Sequence, residues 1–599
     1  MSKFLYVNAH RIPYRAYIFS NPVETLVLEN PEKIPEFFTS LENRIKKGFY
    51  LCGFLSYELG YFLEPALIPY YKKDEFGFPL ALFHIYSNKE KIKLFPEKID
   101  LDEFKFLNLS LNISKEEYLS AINKIKKYIA QGDTYQINFT FKVKFDFKGN
   151  PEALFKALLF SQRCEYAFFL EYKNIKILSL SPERFLQKRD SVIRSSPMKG
   201  TLKRSPLLNE DQRAKKELKE DLKTQAENVM IVDLIRNDLG RICENGSVRV
   251  RELFKVKTYP TLHQLISTVE GVLKIESIFE VFKALFPCGS VTGAPKIRSM
   301  QIISELEKEP RRVYTGAVGF FTPEGNFLFN VGIRTLVLWK RGEDDYSGEA
   351  GIGSGVVWDS RAVAEYDECI LKARFFTSPV PYFALIETFY CEKRENNLRI
   401  PLLKYHYERL KESAEFFRFK KPGCLFSLKS FRTYISEKLK HLLEGKFKVK
   451  ILLFPEGRLE ISVHDFEEWK KDLKILLVKR DFKADVFCFH KTTLRSHFDR
   501  WLSFAKEKGF DEVVFYDEEG KILEGTISSF FIKFREKNTY FTPPLSSGIL
   551  NGVLRKFLIE KREAEERKMK LEDLEKAEEI YIGNAVRGLG KVKDWSKIV

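Results

Sequence analysis

Lys199 stands between methionine and glycine in SSPMKGT, residues 195–201, two residues after Pro197. An amine is a nucleophile only when unprotonated, so chemistry at Lys199 requires partial burial or neighbouring cations that lower its pKa. In a chain with 100 lysines and arginines, one more solvated charge is the alternative reading. Glu365 and Glu368 of AVAEYDE are three residues apart and share a face if their segment is helical. Two glycine-rich stretches resemble phosphate loops and fail. GSVTGAPK has three residues between Gly289 and Gly293 where a P-loop has four, and Ala-Pro precedes Lys296. GIGSGV places glycines at 351, 353 and 355 but valine at 356, which breaks the dinucleotide fingerprint. The eight cysteines form no C-x-x-C pair, so neither a disulfide framework nor a zinc knuckle is indicated.

These residues need a scaffold, and 599 residues exceed what one core usually supports, so two or more domains are expected. An apolar fraction of 44% is that of a globular chain. No run of about 18 apolar residues exists and the start lacks a signal peptide's apolar core, which reads as cytoplasmic. The net charge of +17 is spread through interleaved lysine and glutamate, as in KRSPLLNEDQRAKKELKEDLK. That pattern describes a solvated surface. No basic stripe with interleaved aromatics appears, so nucleic acid is not an expected partner.

ISKEEYLSAINKIKKYIAQGD reads as a helix, with a Ser114/Glu117 capping box, apolar Ile122, Ile125 and Ile129, and Gly132 at its end. YAFFLEY and IKILSLS read as strands. KTQAENVMIVDLIRNDLGRI reads as a second helix, with Met230, Val232, Leu234 and Ile235 as buried candidates. FTSPVP, 376–381, marks the domain boundary and predicts domains 1–376 and 377–599. Beyond it, KVKILLFPEGRLEISV and DEVVFYDEEGKILEG read as hairpins, and EKREAEERKMKLEDLEKAEE as an exposed charged helix.

Residues 110–375 carry, in order, GDTYQINFT, SPERF, PMKGT, AENVMIVDLIRNDLGR, YPTLHQLIST, GSVTGAPKIR, YTGAVGF, IRTL and GSGVVWDSRAVAEYDE. This ordered set resembles the chorismate-utilising enzymes, the family of anthranilate synthase, aminodeoxychorismate synthase component I, isochorismate synthase and salicylate synthase. The resemblance implies an α/β domain of two facing β-sheets with flanking helices, and a Mg2+ held by Glu227 and Glu368, with Glu365 on a metal-bound water. It implies Arg334, Lys372 and Tyr314 at the pyruvyl carboxylate of chorismate, together with backbone N–H groups around Gly200, Thr201 and Gly353. His263 and Thr292 are implied for the ring pocket, while Arg236, Asn237 and Asp238 either match the family's site or brace the helix. Members that add water carry a lysine base where this chain has Gln136, and a neutral amide cannot deprotonate water. Anthranilate synthases carry alanine where this chain has Lys199, and aminodeoxychorismate synthases carry lysine. Lys199 is thereby implied as a nucleophile and Glu183 as the general acid, with 4-amino-4-deoxychorismate as product. No cysteine sits in the G-x-C-x-G elbow of a glutaminase, since Cys52 lies in LCGF and Cys288 in PCGS. A separate glutamine amidotransferase subunit or free ammonia is therefore implied.

Residues 380–599 carry IETFY, YHYERLKESAEFF, HKTTLRSHFDR, LEGTISSFFI, PPLSSGILNGVLR and YIGNAVRGLG. Their order resembles the class-IV aminotransferase fold, an α+β domain that binds pyridoxal 5'-phosphate and includes aminodeoxychorismate lyase. Lys491 matches the Schiff-base lysine, Glu524 the partner of the pyridine nitrogen, and Arg409 the phosphate-binding arginine. Amides around Ile549 and Leu550 are implied for the same phosphate, as is a contact at Asn584 and Ala585. The usual leading strand and D…GDG segment are missing, so the small subdomain is trimmed. Together the two resemblances imply synthesis of 4-aminobenzoate, the folate precursor, from chorismate, by a chain that dimerises through its second domain. The rivals are an anthranilate synthase joined to a branched-chain or D-amino-acid aminotransferase, and a scaffold that binds ligands without turnover.

Overall fold

The computed structural model describes residues 3–260, 262–395, 397–535 and 537–598. The first long helix, Lys115–Ala130, begins at the capping box the sequence announces. Ser114 Oγ accepts from the Glu117 N–H at 3.1 Å, and the Glu117 carboxylate accepts from the Ser114 N–H at 2.8 Å. Its buried stripe is Tyr118, Ala121, Ile122 and Ile125. Those residues pack on the outer face of a ten-stranded sheet that begins Gly293–Ala294, Gln136–Lys148, Asp345–Val356, Thr335–Gly342, and continues through Ile175–Ser181 and Tyr166–Tyr172 to the N-terminal strands.

A second ten-stranded sheet begins Met198–Lys203, Leu262–Val272, Val192–Ser196, Arg184–Arg189 and continues through Phe327–Val331 and Ala317–Phe321. The inner faces of the two sheets share one aromatic core, in which Phe4, Tyr6 and Phe168 of the first meet Phe54 and Phe320 of the second. The Tyr6 and Phe320 ring centroids are 5.5 Å apart. Helices cover both outer faces. Pro151–Gln162 and Ala362–Thr377 join the first helix on one side, and Ile34–Lys46, Leu222–Gly240 and Ile278–Leu285 cover the other. The layers are thus helix, sheet, sheet, helix, which gives each sheet two apolar faces to bury. In Leu222–Gly240, Val232 and Ile235 are buried as expected, Met230 and Leu234 are half-buried, and Ile231 and Leu239 complete the inner stripe.

The residues up to Arg204 together with Gln212–Tyr382 form one compact unit; Ser205–Asp211 and the chain from Phe383 onward form another. The division falls a few residues beyond the break expected at 376, because Phe375 and Phe376 are buried in the first unit's core and carry the last helix to Thr377.

In the second unit, strands Asn397–Arg399, Leu385–Arg394, Gly445–Leu453 and Leu459–Asp465 form a small antiparallel sheet in that order. A mixed eight-stranded sheet includes Glu512–Tyr516, Leu473–Lys479, Gly588–Lys597, Glu579–Asn584 and Ser529–Lys533. Both expected hairpins form. The charged stretch 560–579 is not one exposed helix. It turns after Glu560, adds Ala564–Glu566 to the sheet edge, and ends in the short helix Leu571–Lys576. Ala564, Met569 and Leu574, five residues apart, are its buried anchors, and that spacing gives no helical stripe. No helix among the described residues is long and apolar enough to cross a membrane.

Candidate active sites

At the edge where Met198–Lys203 ends one sheet, the first unit holds a cavity of about 450 Å³. Lys199, Gly200 and Thr201 reach it from that strand, and Glu183 from the turn before Arg184–Arg189. Burial lowers the Lys199 pKa from its ordinary value. Glu227 opposes this, Lys372 adds to it, and Glu183 and Glu368 oppose it more weakly. Glu183 is 3% exposed, and burial raises its pKa to about 7 against the pull of Ser290 and Lys199. Ser290 Oγ donates to Glu183 Oε1 at 2.7 Å. A carboxyl that keeps its proton until about pH 7 thus lines the same cavity as an amine whose pKa burial lowers.

Gly355 makes room for that amine. A Cβ at this position would lie 2.8 Å from Lys199 Nζ and 3.0 Å from Gln136 Nε2. Gln136 is fully buried, and neither of its amide atoms has a hydrogen-bond partner. The expected effect of Gly355→Ala is a ~100-fold loss of turnover, the usual result of displacing a reacting atom by about 1 Å. Steady-state kinetics beside a thermal melt measure this; an unchanged rate would show that the amine's position is not set here.

The cavity also holds two further cations, Arg334 and Lys372. Arg334 lines it, with Nη1 donating to Gln162 Oε1 at 3.0 Å, and burial lowers its pKa. Tyr314 lies flat on Gly351, where a Cβ would come within 2.1 Å of the ring. Lys372 Nζ donates to the Gly353 carbonyl at 2.8 Å and pairs with Glu368 at 2.7 Å. Helices Leu222–Gly240 and Ala362–Thr377 bring Glu227, Glu365 and Glu368 to the same cavity. No group of three or more metal-ligating side chains close enough to hold an ion occurs among the described residues. That donor set fits Mg2+, which takes one or two protein carboxylates and fills its shell with water and substrate oxygens.

Two expected ring-pocket residues do not line the cavity. His263 is fully buried behind the wall with Nδ1 3.1 Å from Thr258 Oγ1. Successive strand residues face opposite ways, so its neighbour Gln264 lines the cavity instead, with Oε1 buried and unpartnered. Thr292 is also fully buried, and its hydroxyl donates to the Cys288 carbonyl at 2.9 Å. Asp238 of the RND segment accepts from Lys296 Nζ at 2.7 Å, a bracing contact. Sequence reasoning missed Asn138, Gln264 and Ser290 as lining residues; strand alternation from Gln136 and from His263 was the available signal for the first two.

In the second unit, Lys491 Nζ donates to Thr388 Oγ1 at 3.1 Å. Burial, reinforced by Arg409, Arg495 and Lys450 and opposed by Glu387, lowers the Lys491 pKa to about 7. Thr388 escaped the sequence reading, although it follows the glutamate of IETFY. Burial raises the Glu524 carboxyl to about 8, and its hydrogen bond is from the Leu550 N–H at 3.1 Å. The Leu550 amide is therefore directed at Glu524 rather than at the expected phosphate. Ile549 is buried beside it. Arg409 donates twice to Glu387, at 2.7 and 2.8 Å, and His406 Nδ1 lies 2.7 Å from the same carboxylate. Burial opposes ionisation of Glu387, but Arg409 and His406 outweigh it and hold the carboxyl at about 2. Asn584 Oδ1 accepts from the Val586 and Arg587 N–H groups at 3.0 Å each, so a contact from Asn584 or Ala585 to a phosphate falls to the backbone. The Glu524 carboxyl of raised pKa, the Lys491 amine of lowered pKa and the partly buried Arg409 fit, in turn, the ring nitrogen, aldehyde and phosphate of pyridoxal 5'-phosphate.

The family model described as chorismate binding enzyme matches residues 3–378, and that described as amino-transferase class IV matches residues 384–595. Aminodeoxychorismate synthase component 1 of Klebsiella aerogenes is 41% identical over 264 residues, 44% of this chain and 57% of that protein. Anthranilate synthase component 1 of Aquifex aeolicus is 38% identical over 270 residues, 45% of this chain and 54% of that protein. The chain thus spans about half the length of these curated relatives. The crystal structure of anthranilate synthase component I from Streptococcus pneumoniae superposes with a TM-score of 0.53 at 25% identity, covering 61% of this chain and 92% of that one. With the match extending over more than half of its residues, and a class-IV aminotransferase region following it, the chain belongs to the chorismate binding enzyme family.

Proposed function

We propose that the chain makes 4-aminobenzoate from chorismate in two steps, one in each unit. The observation that carries the first step is the shared cavity of Lys199 and Glu183, an amine of lowered pKa beside a carboxyl titrating near 7. The neutral Lys199 amine bonds to C2 of chorismate, the ring double bond shifts, and the C4 hydroxyl leaves as water with the Glu183 proton. The new secondary ammonium returns a proton to Glu183. Ammonia then bonds to C4, the double bond shifts back, and the C2–Nζ bond breaks as Glu183 gives its proton to the departing amine; the new C4 ammonium returns a proton to Glu183, and the neutral Lys199 amine is regenerated. The net change exchanges hydroxyl for amine. Arg334, Tyr314 and Lys372 hold the substrate carboxylates, and a Mg2+ at Glu227, Glu365 and Glu368, when bound, neutralises carboxylate charge. Ammonia comes from solution or from a separate glutaminase subunit, since no glutaminase elbow exists in the sequence.

In the second unit, Arg409 and the backbone around Asn584 and Ala585 would hold the phosphate of pyridoxal 5'-phosphate, and Glu524 would hold the proton on its ring nitrogen. When bound, that cofactor supplies an electron sink for the amine-bearing carbon. Lys491 Nζ takes the proton from ring C4 and delivers it to the enolpyruvyl methylene as the C–O bond to the ring breaks. Pyruvate leaves and the ring becomes aromatic. Dimerisation through this unit and a cytoplasmic location complete the reading. The test is product identification from chorismate and ammonium chloride with added pyridoxal 5'-phosphate. Equal amounts of 4-aminobenzoate and pyruvate are expected; anthranilate as the product would overturn the reading in favour of an anthranilate synthase.

A further inference from the structure

Behind the cavity wall lies a buried guanidinium that does not itself line the cavity, yet binds three segments that supply the wall. Arg311 is 3% exposed. Its Nη1 donates to the Val291 carbonyl at 2.9 Å and to Thr315 Oγ1 at 3.3 Å, and its Nη2 donates to the Asn138 carbonyl at 2.6 Å. Asn138 and Val291 line the cavity, Thr315 follows the lining Tyr314, and Ser290, the residue before Val291, is the hydroxyl that binds Glu183. The remaining donors go to one carboxylate. Arg311 Nε reaches Glu307 Oε2 at 2.8 Å, and Nη2 reaches Oε1 at 2.6 Å. Glu307 Oε1 in turn accepts from the N–H and hydroxyl of Thr140 at 2.8 and 3.0 Å, which fixes the strand that carries Asn138. Tyr57 backs the guanidinium plane at 4.4 Å.

We propose that Arg311, with Glu307, is a positioning residue of this site: its planar fork sets the registry of the Asn138, Ser290–Val291 and Tyr314–Thr315 segments, and through Ser290 the orientation of the Glu183 carboxyl. The chemistry of the fork is what the place requires. Five N–H donors in one plane serve carbonyls from separate segments and a carboxylate at once, which a lysine ammonium on a flexible stem cannot do. The two backbone carbonyls are acceptors that a shorter cation would leave under-satisfied, so the segments would drift toward other donors.

The proposal rests on the chorismate reading for its kinetic consequence but not for its structural one, and the experiment separates them. Arg311→Lys keeps a cation beside Glu307 and removes the fork; Arg311→Ala, supplemented with guanidinium ion at concentrations below its denaturing range, restores the fork without the tether. The full chain is used throughout. In Arg311→Lys, kcat/KM for chorismate is expected to fall ~100-fold, as for a displacement of about 1 Å in a reacting group. Amide hydrogen exchange across 288–293 is expected to quicken more than exchange in the distant core strands of the same unit. Guanidinium, and not methylammonium, is expected to recover part of the activity of Arg311→Ala. Unchanged kcat/KM and unchanged exchange in Arg311→Lys overturn the proposal, as does a variant that loses thermal stability uniformly while its folded fraction keeps wild-type kinetics. If the wild-type chain does not consume chorismate, the functional reading fails, and the exchange measurement alone decides the role of Arg311.

Discussion

Replacing Lys199 with alanine is expected to lower formation of 4-amino-4-deoxychorismate by about 10⁴-fold or more, in the direction of the losses seen when a nucleophile is deleted from a hydrolase. The expectation follows from the wall Lys199 occupies. Its amine sits against Gly355 beside the unpartnered Gln136 amide, in the cavity that also holds Glu183 and the carboxylates Glu227 and Glu368. A purely electrostatic lysine would give a smaller loss, restored by arginine, and that outcome would sink the covalent route. Intact-protein mass spectrometry adds a second readout, because the route requires a substrate adduct on the wild-type chain that the variant cannot form.

The pH dependence has a fixed sign. Attack needs the Lys199 amine neutral, and because burial lowers its pKa the neutral form gains ground as pH rises from the acid side. Departure of the hydroxyl needs the Glu183 proton, which burial retains until about pH 7. The rate therefore rises with pH as Lys199 loses its proton and falls as Glu183 loses its own. The same burial disfavours the charged form of both groups, raising the pKa of the carboxyl and lowering that of the amine.

Much of this was legible before any coordinates, and the reasons differ by residue. The helix after Ser114 could be placed because its cap is local chemistry, with serine and glutamate three residues apart satisfying two backbone donors. Lys199, Glu183 and the three carboxylates could be placed because their motifs stand in a fixed order along the chain, and the fold brings all of them to one cavity. The misses come from orientation and tertiary context. His263 and Gln264 are adjacent, and only the pairing of Leu262–Val272 with Met198–Lys203 decides which faces the cavity. Thr292 could not be judged without its hydroxyl's partner, the Cys288 carbonyl. Arg311 has Glu307 and Thr315 four residues to either side, but its backbone acceptors lie at residues 138 and 291 and converge only in the folded unit. The charged stretch 560–579 misled for the opposite reason: abundant lysine and glutamate suggest one long helix, while three apolar residues at the wrong spacing divide it into a strand and a short helix.

Replacing Lys491 with alanine is the second large effect expected, and it isolates the other unit. Release of pyruvate from 4-amino-4-deoxychorismate should fall by about 10⁴-fold, the upper range for losing a positioned proton carrier, while amination in the first unit continues and the aminated product accumulates. Borohydride treatment with pyridoxal 5'-phosphate should attach the cofactor to the wild-type peptide containing Lys491 and leave the variant peptide unmodified. The neighbourhood explains why this lysine works as a base near neutrality. Burial, with Arg409, Arg495 and Lys450 around it, brings its pKa to about 7, so the ammonium predominates below that pH and the proton-accepting amine above it. Pyruvate release by the wild type should therefore rise through about pH 7. Glu524 sets the complementary charge. Buried and raised to about 8, it ionises in the presence of a cationic partner such as a protonated ring nitrogen, and Coulomb attraction at short range in a poorly solvated site favours both charged forms together. Cofactor labelled at another lysine, or pyruvate released at the wild-type rate by Lys491→Ala, would remove the second step from the proposed sequence and leave the chain an aminating enzyme joined to an aminotransferase-like unit of different use.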